Sequence, residues 1–540
     1  MTVDLDEPTT AAPAPPRARR RWLFALLIVV LLGQMATAMV VTAVQQTPTI
    51  DEPVYVGTAI TYVQQHSLRY NPEHPPLGKL IMAAGLVFAH PKLDRAYRGN
   101  QTALGQHVLY SAGNDPYELM FFARLPMIIL TLLFGLVVFA FARDLVGPVG
   151  GLLALALYAF SPDVIAHGSL ATLDVPAAGF LLTATWLLWR ARGRPLLYVP
   201  LAGLALGAAL ATRMSVLPAV PVLMLLAFLA VKRLRGLAAA GGLAAIGVAV
   251  VWVVYLAVDP TLRFLHPIGM PVIDGLRGLV VDLLPFPVPY RDGMRIQFAF
   301  EDRAFNGFLF GHLYRGSRWY YLPLAMLVKT PLGLLVLWLA GSVALLIVPR
   351  LRIAALYLLL LPAVLFVVAM TGSRDFGSRY AVFMPVFLAV AAAAVVALRW
   401  RWAHLTAAVL TLFVAVSSLR TFPYYLPYSN EAFGGPAKTH LRLHDSNVDW
   451  GQDLGRLADR LRERYPGERV WLVYKGAGLP AAYGITAGNP LRTPAADVHG
   501  LLVVSDSAAA RAGARLKALL RTSGEPVDDV GHSITIYRRP

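Results

Sequence analysis

The chain contains no cysteine. That excludes disulfides and a thiolate metal site, and it leaves the redox compartment unreadable from this residue type. Charge is scarce as well: 15% of the 540 residues are Asp, Glu, Lys or Arg, against 57% hydrophobic residues. With a mean hydropathy of +0.58 and repeated apolar runs of about twenty residues, this composition excludes an ordinary soluble protein and marks a polytopic α-helical membrane protein. Acidic residues are the scarcer sign, 31 against 48 basic ones, for a net charge of +17. Much of that excess sits in short tracts between apolar runs, where topology signals belong, so no nucleic-acid partner is implied. Solenoid-type repeats are absent, and low complexity is confined to the N-terminus.

Residues 1–21 are rich in Pro and Ala and read as a disordered cytoplasmic segment. Arg17, Arg19, Arg20 and Arg21 then precede the apolar run 22–44, which is long for a signal-peptide core and lacks a small-residue cleavage site, so it reads as a retained first span. Further runs fall near 119–142, 148–166, 172–190, 196–212, 214–231, 237–258, 321–348, 353–370, 380–398 and 403–420, which makes eleven in all. Residues 76–89 are apolar but short, and suit an interfacial helix. Arg143, Arg190, Arg192, Arg194, Lys232, Arg233, Arg235, Arg350, Arg352, Arg399 and Arg401 then fall on the side of the N-terminal arginines. The positive-inside rule puts that side in the cytoplasm of a cell membrane crossed many times, and loops 45–118 and 259–320 outside it.

From about 421 the long apolar runs stop. A helix over 452–465, with Leu454, Leu457, Ala458 and Leu461 on one face, and strands over 470–474, 501–505 and 533–537 predict a small extracytoplasmic α/β domain over 421–540. Residues 22–420 are left as the transmembrane domain.

The densest chemical loading follows the first span. Asp51 and Glu52 stand together, and Glu73, His74, Pro75, Pro76 and Leu77 close the same stretch. Helix capping by Thr49 or Asp51 ahead of Pro53 is good local chemistry. A carboxylate between apolar walls at a membrane interface can also act as a general base. Glu73 and His74 are ligand types for a divalent ion, although adjacent residues rarely aim at one metal; a polar turn fixed by two prolines is the alternative. Asp174 opens the fourth span ahead of Pro176, where the helix dipole alone favours an acid, and His167 lies nearby.

Cations at outer span ends run against the positive-inside trend: Arg213, Lys329, Arg374 and Arg379, the last followed by Tyr380. Snorkelling accounts for any one of them. Several together suggest a site for an anion embedded in lipid, such as a phosphate. Trp319 and Tyr320, in an aromatic cluster that ends at Tyr321, suit either an interfacial belt or carbohydrate stacking.

Taken in order, Asp51-Glu52, Glu73-His74-Pro75-Pro76-Leu77, Thr172-Leu173-Asp174-Val175-Pro176, Trp319-Tyr320-Tyr321 through Lys329-Thr330-Pro331, and Gly377-Ser378-Arg379-Tyr380 resemble the protein O-mannosyltransferase and aminoarabinose-transferase group of GT-C-fold membrane glycosyltransferases. The resemblance covers most of 22–400. It implies inverting transfer of a hexose or pentose from a polyprenyl-phosphate carrier to a protein hydroxyl, envelope glycan or lipid outside the cytoplasmic membrane. Asp51 matches the catalytic base of the family, with Glu52 beside it. Arg213, Lys329, Arg374, Arg379 and Tyr380 would hold the donor phosphate, and Glu73, His74, Asp174, Trp319 and Tyr320 the substrate. Glu73 matches an acid that touches a metal in some relatives, so a divalent metal ion is the one cofactor to consider. His74 stands where the aminoarabinose branch usually has Lys, which argues against the substrate of that branch. The segment 445–453 looks like one in uncharacterised bacterial relatives and carries no role over. A transporter or flippase for a lipid-linked sugar would use similar cations, but it predicts a repeat symmetry that the sequence lacks. A glycan-binding envelope protein would leave Asp51 without a task.

Overall fold

The computed structural model describes residues 17–231, 234–262 and 269–540. Residues 1–16 of the expected disordered segment, and Lys232 and Arg233 of one basic tract, lie outside the described residues. The first helix begins earlier than the apolar run does, at Arg17, and reaches Gln45.

Among the described residues, five helices are long and apolar enough to cross a membrane: Trp22–Gln45, Pro116–Ala159, Leu234–Val258, Pro349–Met370 and Ala403–Thr421. The pair Tyr321–Lys329 and Leu332–Ile347, bent by 115°, makes a sixth if it is taken as one span. The sequence count of eleven is higher because several runs fold as shorter helices, among them Pro195–Leu210, Ala219–Ala230 and Phe383–Ala397. The runs 119–142 and 148–166 share Pro116–Ala159, which is interrupted at Gly147 (φ 85°). There the chain turns back on itself, so that Tyr158 donates to the carbonyl of Thr131 at 2.9 Å. Only glycine takes that backbone conformation without strain, and Pro148 restarts the helix. The short apolar stretch after Pro76 forms the helix Leu77–Leu86.

Beyond the helices, a hairpin pairs Asn306–Leu309 with His312–Arg315. The tail folds as a four-stranded sheet in the order Val470–Val473, Gly500–Ser505, Ile534–Arg539, Pro526–Val530. The first two strands are parallel and the others antiparallel. The helix Leu454–Arg464 turns Leu454, Leu457, Ala458 and Leu461 onto this sheet, as its spacing predicts. The strand 526–530 has no counterpart in the sequence reading, because two adjacent aspartates at 528 and 529 break its alternation.

The tail is fastened to the first loop. Thr47 N donates to Gln452 O at 2.9 Å and Ile50 N to Trp450 O at 3.0 Å. The Tyr110 and Tyr483 hydroxyls meet at 3.1 Å.

Candidate functional site

Loop 45–118, the 259–320 region, the turn 371–382 and the tail enclose a cavity of about 1200 Å³. Asp51, Glu73, His74, Asp174, Arg213, Arg374, Arg379 and Tyr380 line it, as do Trp450, Tyr474, Lys475 and Arg511. Its apolar side is formed by Leu181, Leu217, Leu365, Val368 and Phe383, which come from the membrane helices and the turn before one of them.

Asp51 directly precedes the helix Glu52–Gln65, but its side chain makes no capping bond. Its Oδ2 instead accepts from Arg379 at 2.8 Å, and 29% of the Asp51 side chain stays open. Arg379 also lies 3.9 Å from Asp174, which is ion-paired with Arg213. The two guanidiniums lie over the Tyr380 ring at 5.1 and 5.7 Å, and Arg379 lies over Trp450 at 4.2 Å. Burial, and then the charge of Arg379, pulls the Arg213 pKa down to about 10. A second cation in a half-dry site favours any anion that can come between the two. Arg374 is held by Glu301 at 2.7 Å and Gln297 at 3.0 Å.

Glu73 accepts from Gln101 at 2.6 Å. His74 is half-buried, its Nδ1 is buried with no hydrogen-bond partner among the described residues, and desolvation followed by the charge of Arg213 keeps its pKa well below the ordinary range, so the ring is neutral at pH 7. Among the described residues, no three His, Cys, Asp or Glu side chains gather as metal ligands. The charged side chains around Glu73 and His74 in the cavity include three arginines. This donor set does not fit a divalent cation.

Four residues chosen from the sequence do not reach the cavity. Glu52 is fully buried and points the other way, into an ion pair with Arg124. Lys329 is buried with Nζ 3.6 Å from Asp163, and donates to Asn447 O at 2.9 Å and to Leu426 O. Its ammonium is thus already committed to protein acceptors. Trp319 and Tyr320 are exposed and stand away from the lining, stacked edge-on at 5.8 Å, as an interfacial belt would have them. Sequence reasoning in turn missed Trp450, Lys475 and Arg511. For Trp450 the one signal is the polar segment 445–453, which carries no role; Lys475 and Arg511 lie outside it.

Residues 28–262 match the family model for dolichyl-phosphate-mannose-protein mannosyltransferase. The resemblance read from the motifs is therefore borne out over the stretch that holds Asp51, Glu73, His74, Asp174 and Arg213. No curated protein matches the sequence. Among solved structures, ArnT from Cupriavidus metallidurans bound to undecaprenyl phosphate is 15% identical, covering 97% of this chain and 98% of that one, with a TM-score of 0.49. The S. cerevisiae Pmt1-Pmt2 complex bound to the sugar donor is 17% identical, covering 44% of this chain and 33% of that one, with a TM-score of 0.35. The Archaeoglobus fulgidus oligosaccharyltransferase in the apo form is 13% identical, covering 83% and 59%, with a TM-score of 0.45.

Proposed function

We propose that this membrane protein transfers a sugar from a polyprenyl-phosphate carrier to an acceptor hydroxyl, with inversion. The observation that carries the reading is the cavity that joins Asp51, the arginines Arg213, Arg374 and Arg379, and a helix-lined apolar side. A lipid-linked sugar phosphate has the same three parts: a reacting carbon, an anion and a hydrocarbon tail. The match of 28–262 to a family named for a polyprenyl-phosphate sugar donor supports the same reading. The loops and tail that wall the cavity are those the positive-inside reading of the sequence assigns to the outer side, which supports an extracytoplasmic reaction.

A sugar bound through phosphate already has a good leaving group, so no strong general acid is needed. The acceptor oxygen attacks the anomeric carbon from the face opposite the phosphate, and the carbon–oxygen bond to phosphate breaks. The electron pair leaves with the phosphate, whose added negative charge falls to Arg213, Arg374 and Arg379. Asp51 takes the acceptor proton. The neutral imidazole of His74 and the carboxylate of Glu73, on the same wall, are placed to bind sugar hydroxyls.

Asp51→Asn tests the assignment, because the amide keeps the shape of the side chain and removes its basicity. With protein purified in detergent and a labelled polyprenyl-phosphate sugar, donor binding should persist while turnover falls about 10²- to 10⁴-fold. Intact turnover would remove Asp51 from the chemistry. Loss of binding together with turnover would make it a structural residue.

A further inference from the structure

The segment 445–452 bonds to the site on two sides. On one side, Ser446 Oγ donates to Phe376 O at 2.9 Å, and Asn447 Oδ1 accepts from Ser378 N at 2.9 Å. These contacts hold the turn that carries Arg374 and Arg379. On the other side, the carbonyls of Trp450 and Gln452 accept from the backbone of Ile50 and Thr47, just ahead of Asp51. One stretch of the tail thus sets the spacing between the carboxylate and the guanidinium that pairs with it.

Trp450 sits at the centre of this arrangement. It is 1% exposed, and its ring lies 4.2 Å from the Arg379 guanidinium carbon. Arginine has a long, rotatable stem, and two carboxylates compete for this one: Asp51 at 2.8 Å and Asp174 at 3.9 Å. An indole face is the strongest aromatic partner for a cation, and more so where water is excluded. It fixes the plane of the guanidinium without using any of its N–H groups. Those stay available to oxygen partners along the rim, which is what a group shared between a carboxylate and a phosphate requires.

We propose that Trp450 is a positioning residue that holds Arg379 where it serves both Asp51 and the donor phosphate. The tail is then a part of the transfer site and not an appended unit. The proposal rests on the glycosyl-transfer reading above.

The test is a double-mutant cycle on the full chain in detergent, with binding of a labelled polyprenyl phosphate as the readout and thermal unfolding as the check on folding. Trp450→Leu should weaken binding about tenfold, within the range of a desolvated cation–π contact. Trp450→Phe, which keeps an aromatic face, should lose distinctly less. In an Arg379→Gln background, Trp450→Leu should add almost nothing, because the two side chains act as one unit. A Trp450→Leu effect that keeps its full size without Arg379, or that Trp450→Phe reproduces, makes Trp450 an ordinary core residue and overturns the proposal. Normal binding by Trp450→Leu alongside impaired binding by Arg379→Gln overturns the proposal alone. Normal binding by Arg379→Gln overturns the reading of the site as well. If Trp450→Leu does not fold, Trp450→Phe and Trp450→Tyr complete the same cycle.

Discussion

Glu52 and Asp51 are neighbours in sequence, yet the structure gives them opposite tasks, and Glu52→Gln separates them. Five hydrogen bonds converge on the Glu52 carboxylate. Oε1 accepts from Arg124 Nε at 2.8 Å and from Ala171 N at 2.8 Å. Oε2 accepts from Arg124 Nη2 at 2.7 Å, Thr49 N at 2.8 Å and Thr49 Oγ1 at 3.0 Å. Glutamine would replace one oxygen with an NH₂ group, so whichever way it turned, at least two donors would face a donor. Arg124 would be left buried and short of its counter-charge while still holding the carbonyls of Ala43 and Gln46 at the end of the first helix. Breaking a buried pair from one side costs about 3–5 kcal/mol, a large part of a typical folding free energy of about 5–15 kcal/mol. Burial alone would raise the Glu52 pKa, but the charge and hydrogen bonds of Arg124, with the Thr49 and Ala171 amides, outweigh it and hold it below the ordinary value. A depressed folded pKa means that this stabilisation is complete above the ordinary carboxylate range and is lost only as pH falls through the folded value, so neutral buffer is the right condition. Thermal unfolding in detergent should drop by several degrees for Glu52→Gln and stay near wild type for Asp51→Asn. Unchanged unfolding together with a hundredfold loss of turnover would return Glu52 to the chemistry and refute this argument.

Two other outcomes follow from the same geometry. Replacing Arg213, Arg374 or Arg379 by Gln should weaken binding of a polyprenyl-phosphate donor by about 1.5–3 kcal/mol for each charge-assisted bond lost, whereas Lys329→Gln should lower the unfolding temperature and spare donor affinity in the folded fraction. Donor binding at the wild-type level by all three arginine variants would remove the phosphate clamp. In the tail, burial pushes Asp449 and Asp506 both up to about 7, so the folded state holds protons that the unfolded state releases above about pH 4. Stability of the tail should therefore fall as pH rises from about 4 to about 7 and level off above that, and Asp449→Asn should flatten the slope. Unfolding temperatures that match at pH 5 and pH 8 would contradict it.

What the sequence made legible follows from what an apolar chain cannot hide. Asp51, Asp174, Arg213 and Arg379 stood out because each breaks a hydrophobic pattern, and the structure brings all four to one cavity wall. Lys329 broke the pattern just as clearly, but its acceptors are carbonyls of Leu426 and Asn447, far along the chain, and nothing local to 329 reveals them. Successive positions at the start of a helix point about 100° apart, so of two adjacent carboxylates one can enter the core and the other the cavity. Sequence alone does not say which. Trp450 lies in the segment 445–453, which stands out in the sequence without a role, and only the tertiary fold lays it on Arg379.

The pairing of the arginines bears on how the proposed chemistry is timed. Arg379 is matched to Asp51, Arg213 to Asp174 and Arg374 to Glu301, so these three arginines are paired and not bare cations. A phosphate that enters competes with these carboxylates for the guanidinium N–H groups. Between the two arginines nearest Asp51 and Asp174, exchange of partners is easier at Arg379, whose partner Asp51 is 29% exposed, than at Arg213, whose partner Asp174 is 3% exposed. On the proposed reading, a phosphate that takes up N–H groups of Arg379 loosens its hold on Asp51 Oδ2, which is then open to the acceptor hydroxyl. The base would then be released by donor binding and held quiet without it, which restrains wasteful attack by water. A lone, permanently free carboxylate could not make that distinction. A carboxylate paired to the same arginine that meets the leaving group can.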